Sequence, residues 1–191
     1  MRHRIGICLL CILCLLTACG QKEPETTDWT PMQMAQAVLD TQDAWGILAD
    51  VFLFRDAEFE PYLSDYYGVE PGDVEDGYIL CEAGVSALEV AVLRLKDGAN
   101  TGQAVRALMD YIDRRAGAFA GYAPEQYAIL EKSAAVSRGQ YVALLICPDM
   151  DAAEKAFANC FTSAPPPVQE GAPPPLPSEE AHPPARAAGR W

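Results

Sequence analysis

The sequence predicts an α+β domain, a single small unit in which an antiparallel sheet of about four strands is packed by helices. Three observations carry that reading. Two pairs of apolar, β-rich runs are each joined by a short glycine-containing link, as hairpins are. The stretch from Val105 to Phe119 repeats its apolar residues at helical spacing. The run from Gln140 to Cys147 is apolar on both faces, so it must be central and covered on both sides.

The first helix opens at Thr30, an N-cap residue type, with Pro31 at the first helical position and Gln33 completing a capping box. Met34, Ala37 and Val38 line one side, joined by Trp45 if the helix runs that far. From Trp45 to Gly77 the pattern is weak, apart from a second helix over Pro61 to Tyr67 that ends near Gly68. Strands then follow at Tyr78 to Ala83 and Leu88 to Lys96, linked by Gly84-Val85-Ser86. Asp97-Gly98-Ala99-Asn100 breaks the second strand and opens the long helix, with Asn100 and Gln103 at capping spacing. Val105, Leu108, Met109, Ile112, Ala116 and Phe119 form its apolar stripe. Gly121 ends that helix, and Pro124 begins a shorter one through Glu131. The second hairpin runs Ala134 to Ser137, then Arg138-Gly139, then Gln140 to Cys147, and Pro148 stops it. A last helix has Asp151 and Glu154 at capping spacing and an apolar stripe of Met150, Ala153, Phe157 and Cys160.

The ends differ in kind from this domain, expected over residues 29–163. Residues 5–16 are an apolar run of about a dozen, following Arg2, His3 and Arg4. The run is too short for the ~20 residues that span a bilayer. A basic start, a short apolar core and then small residues is the order of a secretory signal peptide. Cys8, Cys11 and Cys14 stand in C-x-x-C-x-x-C spacing, but their neighbours are Ile and Leu and no second ligand pair completes a zinc pattern. The closing Leu16-Thr17-Ala18-Cys19 resembles the bacterial lipoprotein box. That resemblance implies cleavage before Cys19 and a diacylglycerol on its thiol, so residues 1–18 are a lipoprotein signal and residues 19–28 a lipidated tether. At the other end, residues 164–191 hold nine prolines and no periodicity. They read as a disordered or polyproline II tail, either a linker or a ligand for an aromatic groove.

Composition excludes several classes. Residues 1–18 contain two arginines and no acids, so the remaining chain has 12 basic and 27 acidic residues and a formal charge of −15. Such a chain repels nucleic acid and anionic head groups, and an acyl chain rather than charge would hold it at a membrane. Of the two histidines, His3 leaves with the signal and His182 sits in the tail. The domain thus lacks the base of Ser-His-Asp or Cys-His catalysis and any histidine zinc ligand. Beyond Cys19, three cysteines remain: Cys81, Cys147 and Cys160. An odd count argues against a complete disulfide framework, and burial as small hydrophobes suits all three. A Cys81–Cys147 bridge stays open if their strands are neighbours.

The order of motifs carries a further resemblance. Tyr67-Gly68-Val69, Gly121-Tyr122-Ala123-Pro124-Glu125 and Gly139-Gln140-Tyr141-Val142 fall in sequence across roughly Thr30 to Phe161. Together they are similar to an uncharacterised domain-of-unknown-function family, number 4358, found in small lipoproteins of clostridial-type Gram-positive bacteria. The resemblance implies no activity and no catalytic, cofactor-binding or metal-binding residue. The proline-rich tail departs from its pattern.

Searches for chemistry return little. The chain has no G-x-G-x-x-G, no P-loop, no G-x-S-x-G, no H-E-x-x-H and no S-x-x-K. Asp73, Glu75 and Asp76 cluster near a turn, and Asp149 and Asp151 precede the last helix, without the spacing of a calcium loop. Tyr62, Tyr66, Tyr67 and Tyr78 form the densest tyrosine group, suited to a core or to an interface. The functional expectation is a lipid-anchored lipoprotein on the extracytoplasmic face of the cell membrane, a non-catalytic binding or interaction module without cofactor. Its partners would be the bilayer, through Cys19, and a cell-envelope protein. The alternative is a carboxylate-dependent hydrolase of envelope glycans, which needs two acids across one cleft.

Overall fold

The computed structural model describes residues 26–43 and 49–167. The signal, Cys19, Trp45 and most of the tail lie outside those residues. Thr30 caps the first helix, α1 (Pro31–Leu39), and Gln33 completes the capping box as the sequence requires. Then come β1 (Ala49–Leu53), a single turn α2 (Phe59–Pro61) and a π-helix (Tyr62–Tyr67). The hairpin of β2 (Val74–Glu82) and β3 (Glu89–Leu95) leads into the long helix α3 (Thr101–Phe119), capped by Asn100. After α4 (Pro124–Leu130) the second hairpin, β4 (Ala134–Arg138) and β5 (Tyr141–Ile146), precedes α5 (Met150–Asn159).

The α+β reading holds, with one strand more than expected. The sheet has five antiparallel strands in the order β1-β2-β3-β5-β4. The extra strand is β1, which falls in the weakly patterned region and is defined by its pairing with β2, Ala49 opposite Glu82 through Leu53 opposite Tyr78. The last helix also starts differently. Asp149 rather than Asp151 is its cap, accepting from the Ala152 amide at 3.0 Å. That places Asp151 in the first turn, where the helix dipole favours an acid.

The sheet divides the core into two layers. On one face Ile79, Ala91, Leu93, Val142, Leu144 and Ile146 meet the π-helix, α3 and α4. On the other, Tyr78, Leu80, Val90, Val92, Ala143 and Leu145 meet α1 and α5. Both faces of β3 and β5 are therefore covered, which is why these strands are nearly continuous apolar runs. Each fully buried Leu or Ile contributes roughly 1.5–3 kcal/mol relative to leaving it in water.

Gly77 on β2 lets the π-helix layer approach the sheet. A Cβ there would run into the Phe59 ring and stand 3.1 Å from the Leu93 Cδ2. Gly77→Ala is therefore expected to destabilise the domain by about 1–3 kcal/mol. Urea unfolding should show a lower midpoint at unchanged m; an unaltered midpoint would mean that Phe59 does not press on this strand.

Candidate functional site

Antiparallel register builds a row across the first face. Asp50, Cys81, Glu89 and Ile146 are direct cross-strand partners on β1, β2, β3 and the end of β5. Glu89 stands in this row with the parity of Ala91 and Leu93, so its side chain points into the apolar layer. It is fully buried. An isolated carboxylate there would be very costly, so the surroundings must supply donors.

They do so from two elements. Tyr67 of the π-helix donates to Oε1 at 2.5 Å, and Tyr62 reaches the same oxygen at 3.4 Å. Tyr111 of α3 donates to Oε2 at 2.7 Å, and Arg115 bonds and ion-pairs with that oxygen. Tyr111 and Arg115 are four residues apart and so share a helix face. Arg115 also donates to the Ser86 carbonyl at 2.9 Å, tying the β2–β3 link to α3. The π-helix explains the other pair. In an α-helix, residues five apart point about 140° away from each other. The wider π turn brings Tyr62 and Tyr67 round to one carboxylate, and Gly68, at φ +70, ends it in the left-handed region.

The electrostatics follow from burial. Burial pushes the Glu89 carboxyl above its usual range, while Arg115 and the tyrosine hydroxyls pull it back. Burial is the largest influence on Arg115 and disfavours its charge, but attraction to Glu89 together with Tyr111 and Tyr62 outweighs it and the guanidinium is held above its ordinary value. Tyr67, Tyr62 and Tyr111 are raised by burial first and by the Glu89 charge second, so each stays a neutral donor. Edge-to-face packing of Tyr67 on Tyr111, with ring centroids 4.9 Å apart, fixes the two hydroxyls. Phe52, Tyr62 and Tyr66 continue the aromatic group at 4.7 Å spacings.

The four tyrosines singled out in the sequence therefore separate. Tyr67 is core, Tyr62 lies at the rim of the carboxylate, Tyr66 is 56% exposed, and Tyr78 is buried on the opposite face of the sheet. Of the sequence acids, Glu75 and Asp76 face Arg94 at 3.6 and 4.0 Å, and Asp149 is a helix cap. Among the described residues no three His, Cys, Asp or Glu side chains gather as metal ligands would. The acid at the centre, Glu89, and its α3 partners Tyr111 and Arg115 escape sequence reasoning. The available signal is a lone glutamate at an inward position of an otherwise apolar strand, since such a group needs buried partners.

The thiols are free and the open disulfide does not form. The β3 strand separates β2 from β5, which puts Cys81 and Cys147 about two strand spacings, or ~10 Å, apart. They also belong to opposite faces, Cys147 packing with the α1 and α5 layer. A bridge needs Cα atoms within ~7 Å. Burial, with Glu89 second, pushes the Cys81 thiol up to about 11. Burial likewise pushes Cys147 up to about 12 and Cys160 up to about 11. None is a nucleophile at neutral pH.

The span from α2 to the end of β5 holds the whole Glu89 cluster, and a comparison with known families singles out the same stretch. Residues 58–147 match the family described as "Domain of unknown function (DUF4358)". The match is narrower than the Thr30 to Phe161 expected from the motifs, leaving α1, β1 and α5 outside it. Tyr62, Tyr67, Glu89, Tyr111 and Arg115 all lie within the matched residues. No curated protein and no solved structure matches the chain.

Tyr67→Phe removes one donor from the buried carboxylate and should cost about 1.5–3 kcal/mol. Arg115→Met leaves the carboxylate without its counter-charge and should cost about 3 kcal/mol at neutral pH. It also raises the Glu89 pKa further, because the pull of the guanidinium is gone. A carboxyl raised in the fold binds its proton more tightly there than in the unfolded chain, where it titrates near 4.5. Stability therefore recovers as the pH falls from above the folded pKa toward 4.5. Thermal unfolding between pH 8 and 5 should show the Arg115→Met deficit shrinking with acidification; a deficit that is constant or grows would contradict the buried ion pair.

Proposed function

We propose that this chain is a lipid-anchored module on the extracytoplasmic face of the cell membrane, and that its domain binds or positions a cell-envelope partner without catalysing a reaction. Support for the anchor is the lipobox-like Leu16-Thr17-Ala18-Cys19 after a short apolar core. Among the described residues no helix is long and apolar enough to cross a membrane. The formal charge of −15 after residue 18 leaves acyl chains as the attractive force, at ~0.8 kcal/mol for each buried methylene.

One observation carries the non-catalytic reading. The domain's strongest cluster of chemically able groups is consumed as a staple: both oxygens of Glu89 are taken up by Tyr62, Tyr67, Tyr111 and Arg115, and the side chain is sealed from water. A glycan hydrolase requires two carboxylates facing substrate across ~5–10 Å. Asp50 shares the Glu89 row, but Glu89 is turned into the core and already bonded.

The anchor is tested in the native host. Cys19→Ala should move the chain from the membrane fraction to the soluble fraction, and mass spectrometry of the unaltered protein should find an acylated residue 19 as the new N-terminus. A natural chain beginning at Met1 with a free thiol at position 19 would refute the reading. Release of reducing ends from envelope glycans by the purified chain, lost in Asp50→Asn, would establish the hydrolase instead.

A further inference from the structure

The other polar feature of the domain lies on the opposite face of the sheet. A groove of about 480 Å³ opens at the end of β1 and the start of β2, beside the N-terminus of α1. Its apolar lining includes Met32 and Leu53, which are 44% and 39% exposed, and the buried Tyr78. Arg94 lies in it too. The Arg94 Nε is buried and has no hydrogen-bond partner, since its nearest acid, Glu75, stands 3.6 Å away in an ion pair.

Charge and position narrow the occupant. Asp56, Glu75 and Asp76 also line the groove and outnumber Arg55 and Arg94, so an anionic ligand is disfavoured and a neutral segment fits. The chain's own tail leaves the domain next to this place. Trp29 Nε1 donates to the Ser163 carbonyl at 2.8 Å, and Gln33 Nε2 donates to the Pro166 carbonyl at 3.4 Å. Gln33 is one helical turn from Thr30, which lines the groove. The 24 residues beyond Pro167 include an uncharged run, residues 171–178, with the sequence GAPPPLPS between Glu170 and Glu179. Polyproline II rises ~3.1 Å per residue and leaves its carbonyls unpaired, so the four residues before this run span ~12 Å, more than two turns of helix.

We propose that residues 171–178 of the chain's own tail dock in this groove as a polyproline II strand, apolar rings and Leu176 against Met32, Leu53 and Tyr78. Proline-rich segments dock in apolar, aromatic-lined grooves because their conformation is already set. A tethered segment also meets its site at an effective concentration of millimolar order. The docked tail would cover the groove and exclude a proline-rich segment of any partner, which makes it an internal competitor. The groove lies outside the Glu89 cluster and the inference stands without the membrane anchor.

The test is NMR on the full chain without its first 18 residues, reading the Met32 and Leu53 methyl shifts. The comparison is a variant with Pro173, Pro174, Pro175 and Leu176 all changed to Ser, which leaves the folded domain untouched. Docking predicts that both methyl shifts differ between the parent chain and the tail variant, by an amount that does not change with protein concentration. Identical shifts in parent and tail variant would overturn the proposal. So would a shift difference that grows with protein concentration, since the tail would then be filling the groove of a second copy.

Discussion

A carboxylate buried away from solvent has to be met on every side, and that requirement organises one half of this domain. Glu89 sits on a central strand, its oxygens answered by two hydroxyls from the π-helix, and by one hydroxyl and one guanidinium from α3. These four groups must arrive together, because removing one partner leaves others buried and unpaired. The network therefore fixes how the π-helix and α3 lie on the sheet more tightly than apolar contact alone, which tolerates sliding. It accounts for the π geometry as well, since an ordinary helix would send Tyr62 and Tyr67 in different directions.

Much of the fold is legible in the chain, for local reasons. Thr30 and Asn100 bring their own capping partners, and Gly68 and Gly121 mark turns that need a positive φ. The two-faced apolar runs of β3 and β5 announce inner strands. What escapes is what depends on distant residues. The β1 strand is five residues at an edge, and its identity comes from β2 lying beside it. The choice of Asp149 over Asp151 depends on where Pro148 releases the chain. The Glu89 cluster joins residues 22 to 27 positions apart, a separation that no periodicity encodes. Tyrosine density pointed to the right neighbourhood but mixed a core residue, a rim residue, an exposed one and one on the far face.

The sheet keeps two polar features apart. Glu89 and its donors occupy the α3 face and are closed; Arg94, ion-paired with Glu75, lines a groove on the α1 face. Both chain ends leave the domain on the α1 and α5 side, where Thr27 bonds the Cys160 carbonyl and Trp29 bonds that of Ser163.

The claim that one buried carboxylate couples the π-helix to α3 is tested most directly by a double-mutant cycle. Tyr67 and Arg115 bind opposite oxygens of Glu89 and have no hydrogen bond to each other. Stabilities of Tyr67→Phe, Arg115→Met and the double variant at neutral pH should show a coupling of about 1 kcal/mol or more, transmitted through the shared acid. Losses that add to within about 0.3 kcal/mol would mean that the two sides of the site are independent and that Glu89 does not organise the fold.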